Sequence, residues 1–182
     1  MSGGQPGPKA GKSQARPAQA RPRTGARVAA VQALFQSEQA EESAETVIDQ
    51  FTRHRLGKTA DSDGYEEGRV PDAHVPLFAA IVRAAVLGQV QIDARIAEHL
   101  PAEWPFDRLD PVLRALLRAA AAELSMTDGP PVRVVINEYL DVAHGFFHGD
   151  EPKLVNGLLD KLGRLARPGE FTASAPADLP AP

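Results

Sequence analysis

The chain contains no cysteine, so its 182 residues cannot build a disulfide scaffold, a thiolate metal site or a thiol nucleophile. Aromatic residues are scarce, with one Trp, two Tyr and seven Phe. No uninterrupted apolar run approaches the roughly 20 residues that span a bilayer, and the opening residues lack the apolar core of a signal peptide. No alternating apolar and polar stretch is long enough to read as a strand. A GxxxxGK[ST] phosphate loop, a GxSxG nucleophile elbow and a kinase signature are also missing. Together these absences leave no enzyme signature, call for no cofactor, and predict a soluble, cytoplasmic, all-α protein.

What is present is apolar residues at helical spacing, in a chain that is 43% hydrophobic and can therefore bury a core. A first helix is predicted from an N-cap at Thr24 to about Gln39, with Val28, Val31, Leu34 and Phe35 inward. A second opens at Ser43 and runs to about Leu56, where Gly57 can end it. A third, capped by Asp72, reads as unbroken to about Leu100, with Phe78, Ile81, Val82, Ala85, Ile92 and Ile96 on one face; Pro76 requires it to begin nearby. Trp104 and Phe106 follow as a plug between layers. Asp110 and Pro111 then open a helix lined by Leu113, Leu116, Leu117, Ala120 and Leu124.

Residues 131–167 form an αα-hairpin. Val132, Val135, Ile136, Tyr139, Leu140, Ala143 and Phe146 line its first helix, and Leu154, Val155, Leu158, Leu159, Leu162, Leu165 and Ala166 its second. Between them Gly149 permits a left-handed turn, Asp150 is placed to cap and Pro152 fits a first helical turn. The expectation is five or six main helices.

Charge is unevenly spread. Residues 1–23 hold five Lys or Arg and no acid, while the whole chain carries −4, so the remainder carries −9. Residues 1–23 read as a disordered basic arm, 57–71 as a mobile loop, and 168–182 as a disordered tail, each too poor in periodic apolar residues to offset ordering. A basic arm commonly meets nucleic acid or serves only solubility; an acidic body suits a basic protein.

His144 and His148 share helical spacing, but Gly145 stands where a zinc protease needs its glutamate, so they read as surface histidines and no metal site is assigned. Glu138, Asp141, Glu151 and Asp160 read as solvated faces and caps. Asn156 and Gly157 interrupt a strongly periodic helix. The glycine implies close contact with another helix or a partner backbone, helix packing being the favoured reading, with Asn156 bonded to a neighbouring element.

The segments ARVAAVQALFQ, LRALLRAAAAEL with its Glu123–Leu124 pair, VVINEYLDVA and LVNGLLDKL resemble the NusB family of transcription antitermination proteins, over roughly Arg23 to Arg167. The resemblance implies a bundle of two three-helix subdomains, with 24–167 as the domain. It also implies a non-enzymatic role: binding the boxA element of ribosomal RNA leader transcripts together with ribosomal protein S10, and joining other Nus factors on RNA polymerase. It places Arg16, Arg21, Arg23 and Arg27, in place of the family's tighter arginine cluster, with Asp150, Lys153 and Leu154, on the RNA side. Leu154 stands where an aromatic is frequent; Phe146 or Phe147 can compensate as a stacking surface. Asp107 and Leu113 fall on the S10 side, Leu113 where an acid is common. The alternatives are a helical adaptor that binds protein alone, and an RNA-binding module of the kind joined to rRNA cytosine methyltransferases.

Overall fold

A computed structural model of the chain describes residues 22–56 and 73–172. Most of the arm, the 57–71 loop, the Asp72 cap and the end of the tail lie outside these residues. Among the described residues all regular structure is helical, as the periodicity implies.

Helix α1 (Pro22–Ala40) buries Ala26, Ala29, Ala30, Val31, Ala33 and Leu34. The small side chains let it lie close against later helices. Thr24 is not its cap: the residue sits in the first turn, and its Oγ1 donates to Glu138 Oε2 at 2.7 Å. The helix ends at Glu41, whose φ of 54° is left-handed. That turn lets Glu42 N donate to Ser37 O at 3.1 Å, a Schellman closure with glutamate where glycine is usual. Helix α2 (Ala44–His54) is capped by Ser43, whose Oγ accepts from Thr46 N.

The expected single third helix is two: α3 (Val75–Leu87) and α4 (Gln89–His99), bent by 79° at Gly88. His74 supplies the cap, its Nδ1 accepting from Leu77 N at 3.1 Å. The apolar stripes before and after the bend are in phase, so periodicity alone reads through it. Gly88, with its low helix propensity, is the weak point. Turning there lets Phe78, Ile81 and Val82 cover one part of α5 while Ile92 and Ile96 cover another, and it leaves Leu87 and Val90 exposed at the corner.

Trp104 and Phe106 pack partly buried against the core, Phe106 opening a single 3-10 turn (Phe106–Arg108). Helix α5 (Pro111–Leu124) is capped by Asp110, whose carboxylate accepts from Val112 N and Leu113 N. Its alanines at 115, 119, 120 and 122 are buried, and the helix touches α1, α3, α4 and the closing hairpin.

That hairpin is α6 (Val132–Phe146) and α7 (Glu151–Ala166). Helices α1–α3 pack on one another, as do α5–α7, with α4 lying across α5 and α7. Three details of the hairpin differ from expectation. Gly149 keeps an ordinary backbone conformation. The Asp150 side chain does not cap α7 but accepts from Lys153 Nζ at 2.9 Å. Leu165, at the end of the stripe, is 61% exposed.

Order also continues past Arg167, into a short helix α8 (Gly169–Thr172). Arg167 donates to the carbonyls of Pro130, Met126 and Leu124, and Glu170 accepts from Val132 N at 2.7 Å. The Phe171 ring lies under the Arg164 guanidinium. The start of the expected disordered tail is thus a clasp that closes α7 onto the beginning of α6.

Candidate nucleic-acid interface

The residues expected to face RNA do not all reach a surface. Arg16 and Arg21 lie outside the described residues. Arg23, in the first turn of α1, is exposed beside an open hollow lined by His74, Leu77 and residues 125–130. Arg27 is only 2% exposed. Its Nε donates to Glu123 Oε2 at 2.9 Å, its Nη2 to Glu123 Oε1, and its Nη1 to Glu138 Oε2 at 2.9 Å. Burial disfavours the guanidinium's charge, yet the bond and attraction of Glu123 outweigh that and hold its pKa above the ordinary value. Arg27 therefore belongs to the interior, and the reading of it as a phosphate contact is corrected.

The same cluster overturns the reading of Glu138 as a solvated carboxylate. Tyr139, fully buried beside Glu123, has its phenol pKa pushed well up, first by desolvation and then by that carboxylate. Spacing could not show this, since Arg27 and Glu123 are 96 residues apart.

Leu154, at 8% exposure, faces the core rather than a partner. Leu113 is fully buried, which removes it from any direct S10 contact, whereas Asp107 in the 3-10 turn is exposed. Asp150 and Lys153 stand out at the hairpin tip and pair with each other, the carboxylate raising the ammonium's pKa.

Beside that tip the fold assembles what periodicity did not reveal. A groove of about 430 Å³ runs between α1, the end of α2, the start of α5 and the end of α6, lined by Gln32, Phe35, Gln36, Gln39, Arg55, Val112 and Phe146. The sequence assigned Phe146 to the buried stripe, or to a stacking surface. Its ring is 38% exposed and stands 6.3 Å from that of Phe147. Gln32 Oε1 is buried without a hydrogen-bond partner among the described residues. The groove thus offers an aromatic face, the exposed Gln39 amide and a cation, Arg55, that also lies over the Phe51 ring. Beyond Phe146, the sequence signal for it is the set of glutamines at 32, 36 and 39, which share one face of α1.

His144 Nδ1 lies 2.7 Å from Leu140 O, and among the described residues no group of three His, Asp or Glu is placed to hold a metal ion. Gly157 is exposed on α7, and among the described residues a Cβ built on it would meet nothing within 4 Å, while Asn156 beside it is exposed and bonds to no neighbouring element. The expected helix packing at Gly157 is therefore absent, although a glycine inside a helix costs about 1 kcal/mol relative to alanine.

Comparison with known proteins places this geometry. The profile of the NusB family matches residues 24–164. The chain belongs to the NusB family. It is 67% identical over 151 residues to transcription antitermination protein NusB of Granulibacter bethesdensis, spanning 83% of this chain and 93% of that one. To the NusB of Gluconobacter oxydans it is 58% identical over 149 residues, spanning 82% and 91%. The solved T. maritima NusB superposes with a TM-score of 0.64 at 27% identity, covering 84% of this chain and 98% of that one. The NusB family consists of transcription antitermination factors rather than enzymes. Among the described residues no single helix is long and apolar enough to cross a membrane.

Proposed function

We propose that the protein acts in the cytoplasm by binding single-stranded boxA-type RNA of ribosomal leader transcripts, together with ribosomal protein S10, as part of an assembly with other Nus factors on RNA polymerase. The observation that carries this reading is the exposed Phe146 ring at the edge of the glutamine-lined groove. Sequence-specific RNA recognition works on unstacked bases: an aromatic or guanidinium plane stacks on the ring, and amides bond to its edges. Phe146 and Arg55 supply the stacking planes on one concave surface, and Gln39, exposed on its lining, supplies an amide. Lys153 and Arg23, both exposed, and the basic arm with Arg16 and Arg21 supply phosphate neutralisation around it. Asp107, on the surface of a body with net negative charge, suits a basic ribosomal protein.

Titration of labelled boxA-type RNA, with and without S10, at two salt concentrations tests the reading. The expected result is salt-dependent binding strengthened by S10, and a loss on Phe146→Ala of about 1–3 kcal/mol, the worth of one stacked base. Binding that is absent at low salt, or that ignores Phe146→Ala, overturns it.

A further inference from the structure

Of the features left unused by the fold, the outward face of α7 has the clearest signature of a missing partner. Gly157 lies near the middle of this helix, and among the described residues nothing packs on it and no turn or backbone conformation requires a glycine there. Asn156 beside it is exposed and unpartnered among the described residues. The positions around the notch at helical spacing are Asp150, Lys153, Asp160, Lys161 and Arg164, three cations and two carboxylates. Asp160 is held by Arg164 at 2.8 Å, and Lys153 reaches Asp150, whereas Lys161 forms no ion pair among the described residues. Lys153 and Lys161 are eight residues apart, about 12 Å along the axis at 1.5 Å per residue.

We infer that this face is a track for the RNA backbone: Gly157 is the point where a ribose-phosphate segment lies against the helix, flanked by the ammonium groups of Lys153 and Lys161, with the Asn156 amide at its edge. The inference rests on the RNA reading above and extends it along α7, away from the Phe146 groove. A helical glycine with nothing in contact is what close approach by another backbone requires, because any Cβ would hold that backbone away. With Lys153 held by Asp150 and Arg164 by Asp160, Lys161 leaves the face a net positive charge, which suits the closely spaced phosphates of a polyanion. The face starts in the first helical turn after the loop that follows Phe146, so one strand can engage both.

The test uses the full chain and a labelled single-stranded boxA-type RNA. Gly157→Gln fills the notch with a good helix former, so the thermal midpoint should hold or rise while affinity falls by roughly tenfold, as for one lost charged contact. Lys161→Gln should reduce the slope of log affinity against log salt by about 0.7, one phosphate contact on a single strand. Phe146→Ala serves as the reference. If it weakens binding while Gly157→Gln and Lys161→Gln both bind like the unaltered chain, the track is wrong and the groove stands. An effect of Lys161→Gln alone also overturns the track, since unspecific charge then suffices. Loss of S10 binding with RNA affinity intact in Gly157→Gln assigns the face to protein and overturns it. No RNA binding by the unaltered chain removes both readings.

Discussion

At Arg27 a side chain that resembles an RNA contact is the electrostatic centre of the core. Its guanidinium satisfies Glu123 with two hydrogen bonds and Glu138 with a third, while Glu138 also accepts from Thr24. Taking away one member of a buried pair strands the other charge, which costs about 3–5 kcal/mol. Arg27→Met is therefore expected to lower stability by that amount in a urea titration, with any loss of RNA affinity tracking the fraction unfolded. A folded Arg27→Met protein with full stability but no RNA binding would return the residue to the interface. Neighbours along the chain point to the opposite placement. Arg27 stands next to a basic arm, and nothing local announces that Glu123 and Glu138, from two later helices, will close over it. The same locality explains Gly157, where composition showed an anomaly and only coordinates showed that no helix fills it.

Helix identity was legible, helix ends less so. The caps at Ser43 and Asp110 form as read, and so do the two helices of the α6–α7 hairpin, though not the chemistry of its turn or the ends of its stripes. The bend at Gly88 did not, because the stripes of α3 and α4 stay in phase across it and the choice to turn belongs to α5, the surface both must cover. Nor did the clasp of α8, whose four residues have no periodicity and are ordered by Arg167 reaching carbonyls some forty residues back. The end of α1 gives a direct test of termination chemistry. Glu41 holds φ at 54°, a region where a Cβ costs energy and glycine has no such cost. Glu41→Gly should keep the Ser37–Glu42 closure and stabilise the protein by up to about 1 kcal/mol, or roughly 2–4 °C in thermal midpoint for a chain of this size. A lower midpoint would mean that the Glu41 side chain contributes more than its backbone strain costs.

Across the whole molecule, carboxylates join one helix to another. Glu45 meets Arg83 between α2 and α3, Glu42 accepts from Gln36 and Gln50, and Glu170 accepts the Val132 amide. Their pKa values are lowered from 4.5, chiefly by the bonds from Arg83, from Gln36 and Gln50, and from the Val132 amide respectively. The folded protein releases these protons more readily than the unfolded chain. The stability they add is present above about pH 4.5 and is lost as pH falls through the folded-state values. Urea midpoints should thus drop between pH 7 and about pH 3.5, and Glu170→Gln should make that drop shallower; an equal drop in the variant would exclude Glu170 as a contributor. In the larger Arg118 network, Asp93 and Glu38 bind one guanidinium and tie α4 and α1 to α5. The Arg27 cluster has a further consequence in time. Its bonds bridge 96 and 111 residues, so at a synthesis rate of about 5–20 residues per second roughly 5–20 s separate the emergence of Arg27 from that of Glu123. During that interval the first helix carries an unneutralised cation on the face it must bury. The Arg27 face of α1 can therefore close only after the carboxyl-terminal half has been made.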